Sequence, residues 1–438
     1  MRTLPGPVWM GHVELGRSSL PMGAVRDRRP DDLSARLLVR LHGQVLGFVS
    51  IPLTAGPFTF GSRPGGELAG PAVRAAVRSQ LGPALVRHLR VDGLRSGDEH
   101  AWTSGAAWDR CHHPARPASL PEVSVVVCTR DRPEMLGPCL ERLQELEYAS
   151  FEVVVVDNAP STKASLDCFA RTVGDDPRFR YVQEAVPGLS RARNRGMAEA
   201  TARYVAFTDD DVRVDRGWLQ GIAAGFGRDH AVACVTGLVP PAALDHPAQQ
   251  YFDRRFSWND RLDAKVYSLA CCDGLSPLYP YSAGLFGTGA NFAVDRDLME
   301  GLGGFDEALG AGTPAGGGEE LDAFVRVLQA GRSLAYEPSA VVWHFHRRDP
   351  RALRRQLFSY GVGLTAFLTK YLVDTGTTRE ILRRVPDGAR RLLRMWSPTA
   401  MHGRAPARLV LTEAFGMAAG PLAYARGRHR GRHRHSGA

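Results

Sequence analysis

The pattern of apolar and polar residues changes near residue 120. Before that point, residues 35–41 and 45–53 are apolar runs that are typical of strands, and His42 to Gln44 between them suit a hairpin. A helix is predicted over residues 71–94, because apolar residues recur on one face at Val73, Val77, Leu81, Leu85 and Leu89. The Gly-, Pro-, Ser- and His-rich residues 95–121 are predicted to be a linker. We therefore expect an N-terminal α+β unit over residues 1–118.

From residue 123 onward, predicted strands and helices alternate. Residues 123–129, 151–158 and 204–209 are nearly continuous apolar runs, and residues 134–146 and 191–202 have helical spacing. A strand, a helix and a strand within about 35 residues favour a right-handed parallel crossover. The pattern predicts an α/β domain over residues 119–346, with a mostly parallel sheet flanked by helices.

A helical, basic C-terminal extension is predicted over residues 347–438. Its first helix is expected to be interrupted at residues 360–363 (YGVG), and residues 381–396 are predicted to form a basic amphipathic helix. The Arg- and His-rich residues 426–435 have low complexity and are expected to be disordered.

The run at residues 204–212 (YVAFTDDDV) ends in three carboxylates, Asp209, Asp210 and Asp211. Open α/β sheets bind ligands at the carboxyl ends of their strands. Because adjacent carboxylates repel one another, this ending favours a site where a divalent cation or a hydrogen-bond-rich ligand compensates them. For an isolated Asp-rich loop, a solvated turn would be the simpler interpretation.

Four segments resemble, in order and spacing, the family-2 glycosyltransferases of the GT-A fold. They are residues 124–130 (SVVVCTR), 154–158 (VVVDN), 188–196 (GLSRARNRG) and 207–211 (FTDDD). The Gly-rich residues 287–293 and the following residues 303–306 (GGFD) continue the pattern, so that the resemblance extends over residues 121–345. It implies a GT-A fold and the transfer of a sugar from a nucleotide diphosphate sugar.

The resemblance also implies a donor site. Asp157 would accept a hydrogen bond from the nucleobase, Thr129 and Arg130 would line the same pocket, and Asp209 would lie near the donor ribose. Arg191 or Arg193 would lie against the donor phosphates. The alternative is that these arginines lie on a solvated helix face. The further candidates for donor binding are Arg132, Arg191, Arg193, Asn194 and Asp210.

Asp211 would hold the metal, Mn²⁺ or Mg²⁺, as implied by the same resemblance. Both are hard cations that suit carboxylate and phosphate oxygens. His344 or His346, at the end of the last predicted strand, would complete the coordination, and we favour His344. Imidazole suits Mn²⁺ better than Mg²⁺. A structural histidine is the alternative.

Residues 319–322 (EELD) resemble the family motif Gly-Glu-Asp-x-Asp, whose Asp is the general base of inverting members. Glu320 occupies the matching position, so the base here would be one methylene longer, with Glu319 or Asp322 in support. Acids that complement a helix dipole are the alternative. The Gly-rich residues 310–318 that precede the motif are typical of a mobile active-site lid.

Composition adds information about partners and location. The net charge is +9, and the last 60 residues hold 13 Arg and three acidic residues, so the basicity belongs to the C-terminal region. Seven cysteines without ligand-like spacing favour a reducing compartment, and Cys111-His112-His113 lacks a second cluster for a metal site. With no signal-peptide pattern and no long apolar run, we expect a cytoplasmic protein that could contact the inner face of the membrane through its basic region.

The sequence thus predicts a metal-dependent transferase that uses a UDP-, GDP- or dTDP-sugar and a hydroxyl of a glycan, lipid-linked or small-molecule acceptor. Inversion is favoured because of the match at Glu320. The alternatives are a retaining transferase, an inactive nucleotide-sugar-binding scaffold, and a nucleic-acid binder acting through its Arg-rich tail. The last two do not explain the ordered motifs. Aromatic residues are predicted either to stack on an acceptor sugar or to lie in the core: Trp258, Tyr267, Tyr279 and Tyr281.

Overall fold

The computed structural model describes residues 6–15, 22–53, 70–91, 120–256, 258–271, 276, 278–282, 284–374, 376–395 and 406–435. Most of the predicted linker lies outside the described residues, as does the Cys111-His112-His113 cluster. The described elements form a small N-terminal sheet with a helix, a central mixed sheet flanked by helices, and C-terminal helices.

The N-terminal unit is a four-stranded sheet in the order β2-β1-β3-β4. The predicted hairpin is confirmed, since β3 and β4 pair antiparallel and His42 and Gly43 between them have φ of 55° and 76°. The pattern did not predict β1 and β2, and β1 lies parallel to β3. The elements are β1 Val8–Leu15, β2 Met22–Ala24, β3 Ser34–Leu41, β4 Gln44–Pro52 and α1 Gly70–Val91.

Helix α1 covers one face of this sheet and also closes the outer edge of β4. The predicted apolar face of α1 packs in the core of the unit. At the edge, the side-chain amide of Gln80 accepts a hydrogen bond from the Ser50 backbone N–H at 2.9 Å and donates one to the Ser50 carbonyl at 2.9 Å. The carboxamide therefore takes the place that a neighbouring strand would occupy.

The central domain has a nine-stranded sheet in the order β11-β13-β10-β12-β8-β5-β6-β7, and β9 pairs with β13. Its strands are β5 Val123–Thr129, β6 Phe151–Asn158, β7 Phe179–Glu184, β8 Tyr204–Asp209, β9 Val212–Val214, β10 Val232–Leu238, β11 Lys265–Tyr267, β12 Asn291–Asp295 and β13 Ser333–His344. Its helices are α2 Pro133–Gln144, α3 Ala164–Val173, α4 Leu189–Glu199, α5 Trp218–Phe226, α6 Pro247–Phe256, α7 Arg296–Gly301 and α8 Glu319–Gln329.

The predicted α/β class is confirmed, and the sheet is more mixed than expected. Strands β5, β6, β7 and β8 are parallel, as are β10 and β13, but β12 runs antiparallel between β8 and β10. In β5, Val125 and Val127 face one hydrophobic layer and Val126 faces the other. Burial on both faces explains why these strands are continuous apolar runs rather than alternating ones.

The Gly-rich residues 310–318 form a hydrogen-bonded loop in front of α8. The Leu189 N–H donates to the Ala311 carbonyl at 2.8 Å, and the Gly310 N–H donates to the Gly317 carbonyl at 3.2 Å. Gly318, with φ of 92°, precedes α8. Movement of this loop as a lid stays a prediction.

The C-terminal helices are α9 Pro350–Asp374, α10 Thr378–Met395 and α11 Ala407–His435. The predicted interruption of α9 is wrong, because the helix is continuous there and its glycines allow close packing against α11. A Cβ on Gly361 would lie 2.3 Å from the Glu413 carbonyl oxygen, and one on Gly416 would lie 2.2 Å from the Phe358 carbonyl oxygen. Two helix backbones can approach this closely only where side chains are absent.

The expected disorder of residues 426–435 also differs from the structure, in which α11 continues through His435. The first part of α11 packs along α9, and Tyr424 is buried against the loop at Ala308 and Leu309. A packed helix can extend over further residues at little cost, because propagation is easier than nucleation and Arg is a good helix former. Among the helices that the structure describes, none combines the length and apolar character needed to cross a bilayer.

The flanking units attach to the central domain at different places. On the N-terminal side, Arg40 pairs with Asp215 at 2.8 Å, and apolar residues of β1 and β3 pack on β13. On the C-terminal side, Lys370 of α9 pairs with Asp306 at 2.8 Å and with Asp322 at 2.9 Å. Arg255 of the central domain also donates to both carboxylate oxygens of Glu413 in α11, each at 3.0 Å.

Candidate active site

The carboxyl ends of β5 and β8 open into a cavity of 1090 Å³ that is also lined by residues of α9, α10 and α11. Parallel pairing of β5 with β8 brings Thr129 and Asp209 to the same edge of the sheet. Ten of the predicted site residues line this cavity: Thr129, Arg130, Arg132, Arg193, Asp209, Asp210, Asp211, Glu319, Glu320 and His344.

The three adjacent carboxylates have different partners. Asp210 accepts a hydrogen bond from the Thr129 hydroxyl at 2.8 Å and one from Arg132 at 2.6 Å. Asp211 accepts a second hydrogen bond from Arg132 at 2.9 Å and pairs with Arg347 at 3.2 Å. Asp210 thus links β5 to the turn after β8. Asp211 is surrounded by positive groups, Arg132 and Arg347, that line the cavity.

The electrostatics of these carboxylates fit a cation site. Burial raises the pKa of Asp209 to about 7 and that of Asp210 to about 7, and the neighbouring carboxylates add to both shifts. Burial also acts to raise the pKa of Asp211, but the positive charges of His344, Arg132 and Arg347 outweigh it and lower that pKa. A divalent cation would relieve the repulsion among the three acids.

Asp209, Asp211 and His344 present ligand atoms that all lie within 4.8 Å of one another. Pairing of β13 with β9 brings His344 opposite Val212, and its Nε2 lies 3.5 Å from Asp211 Oδ1. Its Nδ1 lies 3.0 Å from Nδ1 of His346, which contacts Phe252. The donor set of two carboxylates and an imidazole fits Mn²⁺ or Mg²⁺, with the nitrogen favouring Mn²⁺.

A second acidic group faces the cavity from the start of α8. Glu319 is buried, and its Oε1 accepts a hydrogen bond from Arg193 at 2.9 Å, while its Oε2 is buried without a hydrogen-bond partner. Arg193 also donates to the Gly289 carbonyl at 3.0 Å and lies 3.7 Å from Asp209. Arg193 therefore links the carboxylate cluster after β8 to the first turn of α8.

Glu320 faces the same cavity with a carboxyl group whose proton affinity is increased. Burial raises its pKa to about 8, Glu319 and Asp209 add to the rise, and Arg193 opposes it. A carboxylate with a pKa in this range is a stronger base than an ordinary glutamate near neutral pH.

Two predicted site residues stabilise the fold around the cavity instead of lining it. Asp322 is fully buried and accepts hydrogen bonds from Arg326 at 2.8 Å and from Tyr371 at 3.2 Å, beside its pair with Lys370. Asn194 donates to the Phe305 carbonyl at 3.0 Å and accepts from the Phe305 N–H at 2.7 Å. Because Asp322 fastens α8 to α9, it can support Glu320 only indirectly.

Arg191 and Asp157 are also absent from the lining of the cavity. Arg191 pairs with Glu307 at 2.5 Å. Asp157 is buried at the end of β6, where one carboxylate oxygen accepts a hydrogen bond from the Tyr181 hydroxyl and the other is buried without a hydrogen-bond partner. Burial raises its pKa. The unpartnered oxygen keeps Asp157 a candidate for the nucleobase contact.

The aromatic residues that the sequence left undecided divide between core and cavity. Tyr267 and Tyr279 are 2–3% exposed and do not line the cavity, whereas Tyr281 lines it although it is only 3% exposed. Trp258 is half-buried, lines the cavity and packs edge-on against His344. Trp258 alone among these four has a partly exposed face beside the candidate metal ligands.

Sequence reasoning missed Arg347 and the cavity residues of α9. Arg347 follows β13 by three residues and pairs with Asp211, and Arg355, Gln356 and Tyr360 line the cavity from α9. The Arg347-Arg348 pair directly after the candidate histidines was an available signal for a phosphate-binding group.

A family model described as "Glycosyl transferase family 2" matches residues 124–284. The pre-mycofactocin glycosyltransferase of Mycobacterium tuberculosis is 28% identical over 242 residues, which are 55% of this chain and 46% of that protein. Residues 124–284 therefore form a family-2 glycosyltransferase domain. The matched part contains the ends of β5, β6 and β8, and therefore the Asp209–Asp211 cluster, whereas Glu320 and His344 of this chain lie beyond it.

Two further proteins are similar to this chain. Polypeptide N-acetylgalactosaminyltransferase 5 of Caenorhabditis elegans is 26% identical over 247 residues, covering 53% of this chain and 38% of that protein. The chain spans less than half the length of either curated relative. Among solved structures, a mannosyltransferase from Pyrobaculum calidifontis in complex with GDP-Man and Mn²⁺ gives a TM-score of 0.44 at 19% identity, covering 81% of this chain and 84% of the other.

Proposed function

We propose that this glycosyltransferase moves a sugar from a nucleotide diphosphate sugar to an acceptor hydroxyl, using a divalent metal and inverting the anomeric centre. The observation that carries the proposal is the convergence of Asp209, Asp211 and His344 in the same cavity as Glu320. In inverting transfer from a diphosphate donor, a carboxylate base can accept the proton of the acceptor hydroxyl and a cation can offset the charge of the leaving group.

The donor would occupy the part of the cavity at the ends of β5 and β8. Asp209, Asp211 and His344 would hold Mn²⁺ or Mg²⁺, and the bound metal would offset the negative charge that grows on the leaving diphosphate. Arg132 and Arg347 pair with Asp211 in this structure. When Asp211 binds the metal, these two arginines would bind phosphate oxygens of the donor instead.

Glu320 would accept the proton of the acceptor hydroxyl. The Glu319 carboxylate is already held in an ion pair with Arg193 at 2.9 Å, which favours Glu320 as the base. Arg193 acts as a positioning residue, because it fixes Glu319 beside Asp209 and leaves Glu320 facing the cavity.

The test measures nucleotide diphosphate release from UDP-, GDP- and dTDP-sugars with Mn²⁺, Mg²⁺ or a chelator. We expect metal-dependent release from one donor class, and its loss in Asp211→Asn. Glu320→Gln should retain donor binding and lose transfer by ~10²–10⁴-fold, the usual contribution of a general base. Glu300→Gln is the matched control, because Glu300 is exposed and does not line the cavity.

Two results would count against the proposal. Equal nucleotide release by Asp211→Asn and the unaltered protein would contradict the assignment of the metal site. Full transfer activity in Glu320→Gln would contradict the assignment of Glu320 as the base. The stereochemistry of the product, read by NMR of the anomeric proton, separates inversion from retention. Donor binding without release under any condition would favour the scaffold alternative.

A further inference from the structure

The cavity does not end at Glu320 but continues between α8, α9 and α10. We call this continuation the apolar channel and define it by five cavity-lining residues. They are Leu278, Leu321, Leu364, Leu368 and Ile381. Leu321 and the candidate base Glu320 both line the cavity from the first turn of α8, so the channel adjoins the position of the acceptor hydroxyl.

The two ends of the cavity differ in chemistry. The end at β5 and β8 carries the carboxylates and arginines of the candidate donor site, whereas the five residues of the channel are aliphatic. Tyr281 and Thr365 also line the cavity, and their hydroxyls already donate to Glu380 and to the Met417 carbonyl. Four of the five channel residues are only half-buried, which leaves apolar surface facing the cavity. Beside Ile381, Arg384 also lines the cavity, and it is already paired with Glu380 at 2.9 Å.

The helices that form the channel present regular faces to it. Leu364 and Leu368 are one turn apart on α9, directly after Tyr360 on the same face. On α10, Ile381, Arg384 and Gly388 line the cavity at helical spacing. The channel is thus built from continuous faces of packed helices rather than from a single side chain.

The volume of the cavity is large for one ligand. At 1090 Å³ it lies at the upper limit of the roughly 300–1,000 Å³ of a pocket for one small ligand. A donor bound at the carboxylates leaves the channel for the acceptor. A sugar chain bound in the channel would lose the hydrogen bonds between its hydroxyls and water and would find few protein partners to replace them. A hydrocarbon body bound there would be stabilised by the burial of its apolar surface.

We propose that the acceptor is amphipathic, with a hydroxyl-bearing end at Glu320 and an alkyl or aryl body in the apolar channel. This inference rests on the proposed function. In the reaction, the acceptor oxygen forms a bond to the anomeric carbon of the donor sugar, the bond from that carbon to the diphosphate breaks, and the hydroxyl proton passes to Glu320. The nucleotide diphosphate leaves with the electron pair of the broken bond.

The test compares octyl β-D-glucoside with methyl β-D-glucoside, which share the sugar and differ in the apolar body. Binding to the full chain is measured by isothermal titration calorimetry below the micelle concentration of the octyl compound. Each methylene buried strengthens binding by roughly fourfold, so we expect the octyl compound to bind at least ~10-fold more tightly even if only part of the chain is buried.

Leu364→Gln and Leu368→Gln should each remove most of that preference. Leu372→Gln is the matched control, since Leu372 packs in the same hydrophobic cluster but does not line the cavity. Thermal unfolding identifies which of the two channel variants is folded, and either one is sufficient. Equal affinity for the two glucosides, no binding of either, or an unchanged octyl affinity in a folded channel variant would overturn the inference.

Nucleotide release from the donor separates this inference from the proposed function. A protein that releases nucleotide with metal but shows no octyl preference is a transferase with a different acceptor. A protein that binds the octyl compound in the channel but releases no nucleotide from any donor contradicts the transferase proposal and leaves the channel assignment in place.

Discussion

The N-terminal sheet and the C-terminal helices both flank the central domain, yet only the helices reach the cavity. The N-terminal unit packs on β13 and pairs with the central domain through Arg40 and Asp215, and none of its described residues lines the cavity. The C-terminal helices supply much of the cavity wall. The comparison suggests that one flank supports the fold while the other is part of the site.

The largest contrast is expected from removing one cation that pairs with the central domain on each flank. Lys370→Met removes the pairs with Asp306 and Asp322, and Arg40→Met removes the pair with Asp215. Each should lower the free energy of unfolding by roughly 3 kcal/mol, because a buried carboxylate loses a charged partner. Only Lys370→Met should also lower kcat at temperatures where both variants are folded. Chemical denaturation and steady-state kinetics measure the two effects.

Equal kcat for these two variants would contradict a special role for the C-terminal helices. A loss of kcat in Arg40→Met alone would reverse the comparison and make the N-terminal unit the more important flank.

A smaller contrast is expected from adding one methyl group to a glycine on each flank. Gly416→Ala would place Cβ 2.2 Å from the Phe358 carbonyl oxygen and force α11 away from α9, at a cost of about 1–3 kcal/mol. A Cβ on Gly82 in α1 meets nothing within 4 Å beyond its chain neighbours. Because the following Pro83 disfavours a helical backbone at a preceding residue that carries a Cβ, Gly82→Ala should change stability by no more than about 0.5 kcal/mol. Thermal unfolding should therefore fall clearly in Gly416→Ala and stay close to that of the unaltered protein in Gly82→Ala.

The smallest effect concerns the pH dependence of transfer. Glu320 can act as a base only when deprotonated, and because burial raises its pKa to about 8, the rate should fall as pH drops through that value. Tyr360→Ala admits water from the α9 side, so the acidic limb should move towards lower pH by about one unit, equivalent to 1.36 kcal/mol. Arg40→Met should leave the limb in place. A pH profile of kcat that is identical in all three proteins would show that the helices do not set this pKa.

The central strands and the carboxylate cluster could be predicted from the sequence because both depend on local features. The valine runs of β5 and β6 are long enough to identify buried strands, and the Asp209–Asp211 cluster directly follows such a run. The antiparallel β12 could not be predicted, because strand order depends on pairing between segments 80 or more residues apart.

The errors within the site arise from the direction of side chains. Arg193 and Asn194 are neighbours on α4, and because successive residues differ by about 100° around a helix, one reaches Glu319 while the other reaches Phe305. The motif identified this helix correctly but could not assign both residues to one face. Tyr360 was missed because its position depends on how α9 packs, whereas Arg347, three residues after β13, could have been proposed from the sequence.

The Gln80 side chain has a consequence for association between molecules. An open strand edge offers unpaired N–H and carbonyl groups to any extended peptide, which is a common start of aggregation. In this chain the carboxamide of Gln80 satisfies both backbone groups of Ser50. A strand from another molecule could pair with Ser50 only by displacing the Gln80 side chain, which belongs to the same chain and rebinds rapidly. This part of the β4 edge is therefore protected against intermolecular strand pairing.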